Sequence, residues 1–232
     1  MGKRIIQQRR GKGGHVYRVK QKAFLVKVGY SNSQEGEWKV TKFVSSSGHS
    51  VPIAKVTNDH GQSFYTFATD NLYVGQKITF GGESTGDIVE IGNLKNGTEI
   101  FNIENKPKDG GKFIRSGGNY AIILGKDTRG VRVKMASKVE RVFNPECRAT
   151  IGRAAGGGVL DKPILKAGKK FHIMKAKSKL WPRTSAVKMN KIDHPFGSGR
   201  GKRIKSKIAK RNASPGKKVG LIRPRRTGRK KR

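Results

Sequence analysis

The stretch YAIILGKDTRGVRVKMASKVERVF, from residue 120 to residue 143, decides the fold. It holds three apolar segments, Tyr120–Leu124, Val131–Met135 and Val139–Phe143, separated by turn-forming residues. In the middle segment, valine and methionine alternate with arginine and lysine, which places apolar groups on one face and cations on the other. The pattern predicts a three-stranded meander with one face in a core and the other available to an anion.

A second β signature lies earlier in the chain. Val51–Thr57 and Gln62–Ala68 are rich in β-branched and aromatic residues and flank Asn58-Asp59-His60-Gly61, which is typical of a hairpin turn. Residues 105–111 contain proline and two glycines, a combination that interrupts helices and strands, so they predict a boundary between the two clusters. The one helix predicted is Lys169–Lys179. We therefore predict a mainly β protein with two small barrels in series.

Charge is distributed unevenly along the 232 residues. Lys and Arg number 52 against 15 Asp and Glu, which gives a net charge of +37. Residues 31–110 carry a net charge of −3, whereas residues 1–30 carry +9 and residues 173–232 carry +21. Blocks of like charge repel one another unless a polyanion neutralises them. The pattern predicts a nucleic-acid partner, with an anionic membrane surface as the less favoured alternative.

Several other classes of protein are not favoured by the sequence. The longest apolar run, residues 121–124, is too short to span a membrane, and the basic start of the chain is not followed by the apolar segment of a signal peptide. We therefore expect a cytoplasmic protein without a membrane partner. Cys147 is the only cysteine, which excludes an intrachain disulfide, and we expect it to be a small buried side chain.

Three glycine-containing segments with arginine, residues 115–118, 148–153 and 197–203, are candidate RNA contacts. Glycine lets the backbone approach a sugar-phosphate chain closely while its neighbours supply charge. An ordinary tight turn is the alternative interpretation of each. None has the Lys-Ser/Thr ending of a phosphate-binding loop, so no nucleotide cofactor is predicted.

Trp181 and His194 are the aromatic candidates. We expect Trp181 to lie against RNA or to fix the tail onto a barrel, and Trp38 to be a core residue. Asp193 precedes His194 and can orient an imidazole as a general base, but no nucleophile motif accompanies the pair. We therefore predict no catalytic residue and a positional role for His194. The five histidines lack metal-ligand spacing, so no protein-made metal site is predicted.

Five strings of sequence occur in an order that is specific when they are taken together. They are Ile103-Glu104-Asn105-Lys106-Pro107, Asn144-Pro145-Glu146-Cys147-Arg148-Ala149-Thr150-Ile151-Gly152, Leu165-Lys166-Ala167-Gly168-Lys169-Lys170, Trp181-Pro182-Arg183 and Asp193-His194-Pro195-Phe196-Gly197. In these strings the chain resembles the archaeal and eukaryotic branch of large-subunit ribosomal protein two. The resemblance covers nearly the whole chain.

The resemblance implies a fold and a function. The fold is an oligonucleotide-binding-type barrel followed by an SH3-like barrel, with extended basic arms. The expected segments are 1–34 for the N-terminal arm, 35–107 and 108–172 for the two barrels, and 173–232 for the C-terminal extension. The function is that of a structural constituent of the large ribosomal subunit, which binds rRNA and supports assembly, subunit association, tRNA placement and the peptidyl-transferase region.

The resemblance also implies partners. They are large-subunit rRNA, neighbouring ribosomal proteins and a contact with the small subunit, without a homo-oligomer. No cofactor is expected apart from Mg²⁺ ions associated with the rRNA. The predicted rRNA-binding residues are Arg9, Arg10, Lys12, Arg115, Arg148, Arg153, Lys166, Lys169, Lys170, Lys177, Lys179, Trp181, Arg183, His194, Arg200, Lys202, Arg203, Arg211, Lys217, Lys218, Arg225 and Arg226.

Two other classes of function compete with this interpretation. An RNA-modifying enzyme with a basic platform needs a cofactor loop or a catalytic set of residues, and the sequence offers neither. A chromatin protein that binds duplex DNA suits the charge, but long arms and Gly-Arg loops suit irregular folded RNA better. We therefore expect a protein that is not an enzyme.

Overall fold

The computed structural model describes residues 2–31, 37–159, 161–198 and 208–222. The chain divides into two compact units. Lys20–Lys177 form one, which we call the barrel unit. The residues up to Val19 and those from Ser178 onward form the other, which we call the terminal unit.

Short strands make up most of the regular structure of the barrel unit. The strands are β1 Trp38–Val44, β2 Ile53–Asn58, β3 Ser63–Phe67, β4 Lys77–Ile78, β5 Ile88–Glu90, β6 Glu99–Phe101, β7 Ala121–Asp127, β8 Gly130–Lys134, β9 Glu140–Phe143 and β10 Arg148–Ile151. They form a four-stranded sheet in the order β3-β2-β1-β4 and a six-stranded sheet in the order β5-β10-β6-β7-β8-β9. A parallel bridge between Phe80 and Ile88 joins the end of the first sheet to β5.

The predicted hairpin is confirmed by β2 and β3, which pair antiparallel. Its turn is closed by the backbone N–H of Gln62, which donates to Asn58 Oδ1 at 2.8 Å. Gly61 has a φ of +76°, a conformation that glycine adopts without the steric cost of a Cβ. The turn chemistry therefore sets the register of the hairpin.

The predicted meander is confirmed by β7, β8 and β9. Val131 and Val133 are buried to 1% and 0% exposure, whereas Arg132 and Lys134 on the opposite face are exposed. Strand β7, the first of the three, is longer than predicted. Its pairing with β8 continues past a bulge after Ile123, and only two residues separate the two strands. The glycine and charged residues that suggested a loop are thus part of the strand.

The buried side chains form one core for each sheet and a third between them. Trp38 lies in the core of the first sheet with 1% exposure, as predicted, and Cys147 lies in the core of the second with 0%. Val51, Phe67 and Phe101 belong to the third core. The curled sheets confirm the predicted mainly β fold, an oligonucleotide-binding-type barrel followed by an SH3-like barrel.

The six-stranded sheet draws strands from both sides of residue 107. β5 and β6 precede this residue, and β7 to β10 follow it. The first barrel therefore shares hydrogen bonds with the second. The division at residue 107 stays a prediction, which expression of the separate segments would test.

Helices are short in both units. The predicted helix is present as α2, Ala167–Ala176, although it begins and ends earlier than expected, and none of its residues is buried. Helix α1, Ile6–Gly11, lies in the terminal unit and was not predicted. Single 3₁₀ turns occur at His15–Tyr17, Gln21–Ala23, Ile91–Asn93, Gly157–Val159 and Ala186–Lys188.

The terminal unit joins the two ends of the chain. The backbone N–H of Lys3 donates to the carbonyl of Ile192 at 2.8 Å, and the hydroxyl of Ser178 donates to the carbonyl of Tyr17 at 3.0 Å. Two short strands, β11 Ile208–Ala209 and β12 Leu221–Ile222, pair parallel. The described parts of the arms therefore pack against each other.

Candidate RNA interface

Ten of the predicted RNA-contacting residues are exposed cations. They are Arg9, Lys12, Arg153, Lys166, Lys169, Lys179, Arg183, Arg211, Lys217 and Lys218. Arg10, Arg115, Lys170, Lys177, Trp181 and His194 are half-buried. Arg200, Lys202, Arg203, Arg225 and Arg226 lie outside the described residues. The side chains of the first group are accessible to a phosphate, so this group is the strongest, although Arg9 donates to the carbonyl of Arg4 and Arg153 pairs with Glu99.

Arg148 is the one predicted contact that the structure places in the core. Its guanidinium donates to both carboxylate oxygens of Glu104, at 2.9 and 3.3 Å, and to the carbonyl of Ser31 at 2.8 Å. The two side chains are only 4% and 0% exposed. RNA binding by Arg148 stays a prediction, and the structure gives this residue an internal role, because its charge and its donors are used inside the protein.

Arg115 and Arg153 are also held by protein groups. Arg115 donates to the carbonyl of Gly111 at 3.1 Å and lies 4.8 Å above the ring of Phe67, and burial lowers its pKa. Arg153 forms two hydrogen bonds to Glu99, which raise the pKa of the arginine and lower that of the carboxyl. Arg153 is exposed, so it is still accessible to a ligand. Both arginines would divide their donors between protein and RNA.

The terminal unit concentrates positive charge. Its sequence holds 26 Lys and Arg and a single acid, Asp193. The N-terminal residues and two stretches of the tail line a cleft of about 1190 Å³, which Arg4, Lys191, Lys210 and Lys217 border. With one carboxylate to offset them, these cations produce a strongly positive field that favours a polyanion.

His194 is held in one orientation by its own turn. Its Nδ1 accepts a hydrogen bond from the backbone N–H of Phe196 at 3.0 Å, and its ring packs against the ring of Phe196 with centroids 5.1 Å apart. The carboxylate of Asp193 lies 3.9 Å from Lys3 Nζ. Because Nδ1 is an acceptor in this contact, the free donor of the neutral ring is Nε2–H. This arrangement favours a hydrogen-bonding role over proton transfer.

A second basic cavity lies beside helix α2. Its volume is about 240 Å³, and its lining includes Lys20, Lys22, Lys175 and His172. These four residues were missing from the predicted contacts, because they are separated by about 150 positions in the chain. None of the described residues that line the cavity is acidic. Only the folded chain brings these four side chains together.

The described residues give three further findings. None of their helices is long and apolar enough to cross a membrane. Within the same ranges, no three His, Cys, Asp or Glu side chains gather closely enough to hold a metal ion. Burial raises the pKa of Cys147 to about 11, so its thiol is protonated and weakly nucleophilic at neutral pH.

The fold and the charge distribution define a class of protein, in which small β-barrels carry strongly basic terminal segments. Comparison with known proteins gives the family. Residues 84–216 match the model of the C-terminal domain of ribosomal proteins L2. The large ribosomal subunit protein uL2 of Archaeoglobus fulgidus is 42% identical over 234 residues, which cover 98% of this chain and 99% of the relative.

Two other archaeal relatives agree. The uL2 proteins of Methanococcus vannielii and Sulfurisphaera tokodaii are 41% and 43% identical, and each alignment covers 99% of this chain and at least 99% of the relative. The chain belongs to the large ribosomal subunit protein uL2 family.

Proposed function

We propose that this chain is a structural constituent of the large ribosomal subunit that binds large-subunit rRNA. The observation that carries the proposal is the terminal unit, in which 26 cations are accompanied by a single acid. Counterions are released when such cations meet phosphates, and this release drives binding. Family membership supports the ribosome as the source of the RNA.

The barrel unit contributes a folded platform, and the terminal unit contributes most of the charge. The barrels contact rRNA through exposed cations such as Arg153 and Lys169. The terminal unit neutralises phosphates where rRNA helices converge, which supports assembly, subunit association, tRNA placement and the peptidyl-transferase region. The chain itself is not an enzyme, and its place is in the cytoplasmic ribosome beside neighbouring ribosomal proteins and within reach of the small subunit.

Co-sedimentation tests this proposal. A tagged copy of the chain is expressed in a cell that supplies its own ribosomes, and the lysate is separated on a sucrose gradient with Mg²⁺. We expect the tag to migrate with large subunits and with joined ribosomes and to remain after a wash with moderate salt. A tag that stays at the top of the gradient, while other large-subunit proteins migrate normally, would contradict the proposal.

A further inference from the structure

Residues 104–112 form a closed loop within the barrel unit, which we call the 104–112 loop. Ile103 and Phe113 bridge its ends through two backbone hydrogen bonds of 2.9 and 3.0 Å. The loop contains three lysines and two acids, so its sequence has a net charge of only +1. Charge counting therefore gave no reason to regard it as an RNA contact.

Glu104 turns its carboxylate into the protein. The side chain is fully buried, and its two oxygens accept the backbone N–H groups of Gly110 at 2.9 Å and Lys108 at 3.1 Å. The same carboxylate pairs with Arg148, which also donates its backbone N–H at 2.9 Å. Its negative charge is thus offset inside the protein and does not reach the surface of the loop.

Asp109 closes the loop from the other side. Its Oδ2 accepts the backbone N–H groups of Asn105 at 3.0 Å and Lys106 at 3.2 Å, and its Oδ1 accepts that of Gly111 at 3.0 Å. Arg141 donates to the side-chain oxygen of Asn105 at 3.1 Å. Both acids of the loop therefore bind backbone N–H groups.

The lysines of the loop face the opposite way. Lys106, Lys108 and Lys112 are exposed, and among the described residues no carboxylate lies within ion-pair distance of their ammonium groups. Two other lysines of the barrel unit differ, because Lys77 pairs with Glu37 at 2.7 Å and Lys95 pairs with Glu83 at 3.1 Å.

The backbone of the loop is fixed before any ligand binds. Lys108 has a φ of +64°, and a Cβ on Gly111 would meet Asn102 at a distance that real Cβ atoms do not show. Carboxylate hydrogen bonds and the Ile103–Phe113 bridge hold this conformation. A preorganised loop loses less conformational entropy on binding than a free tail does.

We propose that the 104–112 loop is a preorganised phosphate-contacting element that binds the sugar-phosphate backbone of rRNA. Its two acids position the backbone, and Lys106, Lys108 and Lys112 contact successive phosphates. The inference rests on the proposed rRNA binding of the whole chain. A phosphodiester backbone suits the loop because it presents several anions at once to several outward lysines, whereas a free phosphate ion presents one.

Matched pairs of lysine substitutions test the charge of the loop. Filter binding measures the affinity of the full chain for transcribed large-subunit rRNA across a KCl series at fixed Mg²⁺. Lys106→Gln with Lys112→Gln should weaken binding about 10- to 30-fold at 0.1 M salt and lower the log–log salt slope by about 1.4. Lys77→Gln with Lys95→Gln removes the same charge from lysines that already have partners, and should change affinity less than about twofold.

Asp109→Asn tests whether RNA binding depends on the position in which Asp109 holds the backbone of the loop. If net charge alone governs binding, removing this acid tightens binding. If the loop geometry matters, binding weakens about two- to fivefold, because an amide has one acceptor oxygen in place of the two that Asp109 uses. Thermal unfolding of each variant confirms that the barrel unit remains folded.

The outcomes separate this inference from the proposed function. A wild-type chain with no salt-dependent affinity for rRNA would overturn both. If the wild-type chain binds but the loop pair and the control pair weaken binding equally, the proposal for the loop alone is overturned. Tighter binding by the Asp109→Asn variant would also overturn the proposal for the loop. Competition by inorganic phosphate at constant ionic strength would assign the loop to a free anion and would also overturn it.

Discussion

The barrel unit and the terminal unit use positive charge in different ways. In the barrel unit, 26 Lys and Arg are accompanied by 14 acids, and Arg148 and Arg153 donate to carboxylates. In the terminal unit the same number of cations meets one acid. Its arginines Arg9, Arg10 and Arg18 donate to backbone carbonyls, which are neutral.

The difference shows why net charge alone does not identify an RNA contact. The guanidinium is planar and forms several fixed hydrogen bonds, so the barrel unit uses arginine to hold strands and loops together. Lysine has a compact charge on a flexible stem, and most lysines among the described residues are exposed. Cations that lack a protein anion are those that an RNA phosphate can neutralise.

The largest expected effect follows from removing unpaired cations of the terminal unit. Arg183, Arg211, Lys217 and Lys218 are all exposed, and we expect their joint replacement by Gln to lower the salt slope of rRNA binding by about 3. Affinity at 0.1 M salt should fall several hundred-fold, a rough figure from the same counterion release. Filter binding measures both quantities. A variant with the full slope would show that these cations do not contact RNA.

Glu104→Gln should act on stability. It leaves the buried guanidinium of Arg148 without its anion, so we expect the free energy of unfolding to fall by about 3–5 kcal/mol in urea titration. Glu99→Gln is the control, because Glu99 pairs with Arg153 at the surface, where the loss should stay below about 1 kcal/mol. Equal losses in the two variants would contradict the structural role of the buried pair.

A smaller effect is expected at His49, which tests how the stability of the barrel unit depends on protonation of a partly buried side chain. Burial, together with the charge of Arg115, lowers its pKa below the ordinary value near 6.5. The unfolded chain therefore binds this proton more readily, so the stability of the fold is complete above pH ~6.5 and declines as the pH falls toward the folded-state pKa. The thermal midpoint should be lower at pH 5 than at pH 7, and His49→Gln should reduce that difference. An unchanged difference would remove His49 as its source.

The smallest expected effect concerns His194 in the terminal unit. His194→Gln keeps a hydrogen-bonding group but removes the imidazole that proton transfer would need, and we expect the rate of peptidyl transfer in assembled subunits to change less than about twofold. Single-turnover assays on subunits with confirmed occupancy of the variant measure this rate. A loss of ~100-fold or more, typical of general acid–base catalysis, would assign the ring a chemical role.

The sequence predicted those parts of the fold that depend on residues close together in the chain. The alternation around Val131 and Val133 and the turn at Asn58–Gly61 were sufficient for the meander and the hairpin. Strands β4, β5 and β6 have two or three residues, which is too few for a period of two to be visible. No short sequence pattern indicates that the two terminal segments meet through the hydrogen bond between Lys3 and Ile192.

Of the candidate RNA interface, the sequence predicted only the part that follows from the distribution of charge. Exposed cations of the terminal segments follow from composition. The internal role of Arg148 was not predicted, because its partner Glu104 lies 44 residues earlier in the chain, and pairing over that distance depends on the sheet. The 104–112 loop was missed for a related reason, since its acids cancel its lysines in the sequence, whereas in the fold Glu104 is buried and both acids accept backbone N–H groups.

Lysine acetylation followed by mass spectrometry tests the central claim most directly. Lys12, Lys179, Lys217 and Lys218 are exposed in the protein alone and have no carboxylate partner among the described residues, whereas Lys77 and Lys95 already have carboxylate partners. In purified large subunits the first four should lose at least about tenfold in labelling rate relative to the free chain, because rRNA phosphates cover them. The rates of Lys77 and Lys95 should change little. Labelling of the terminal lysines at the free-chain rate inside the subunit would contradict the account.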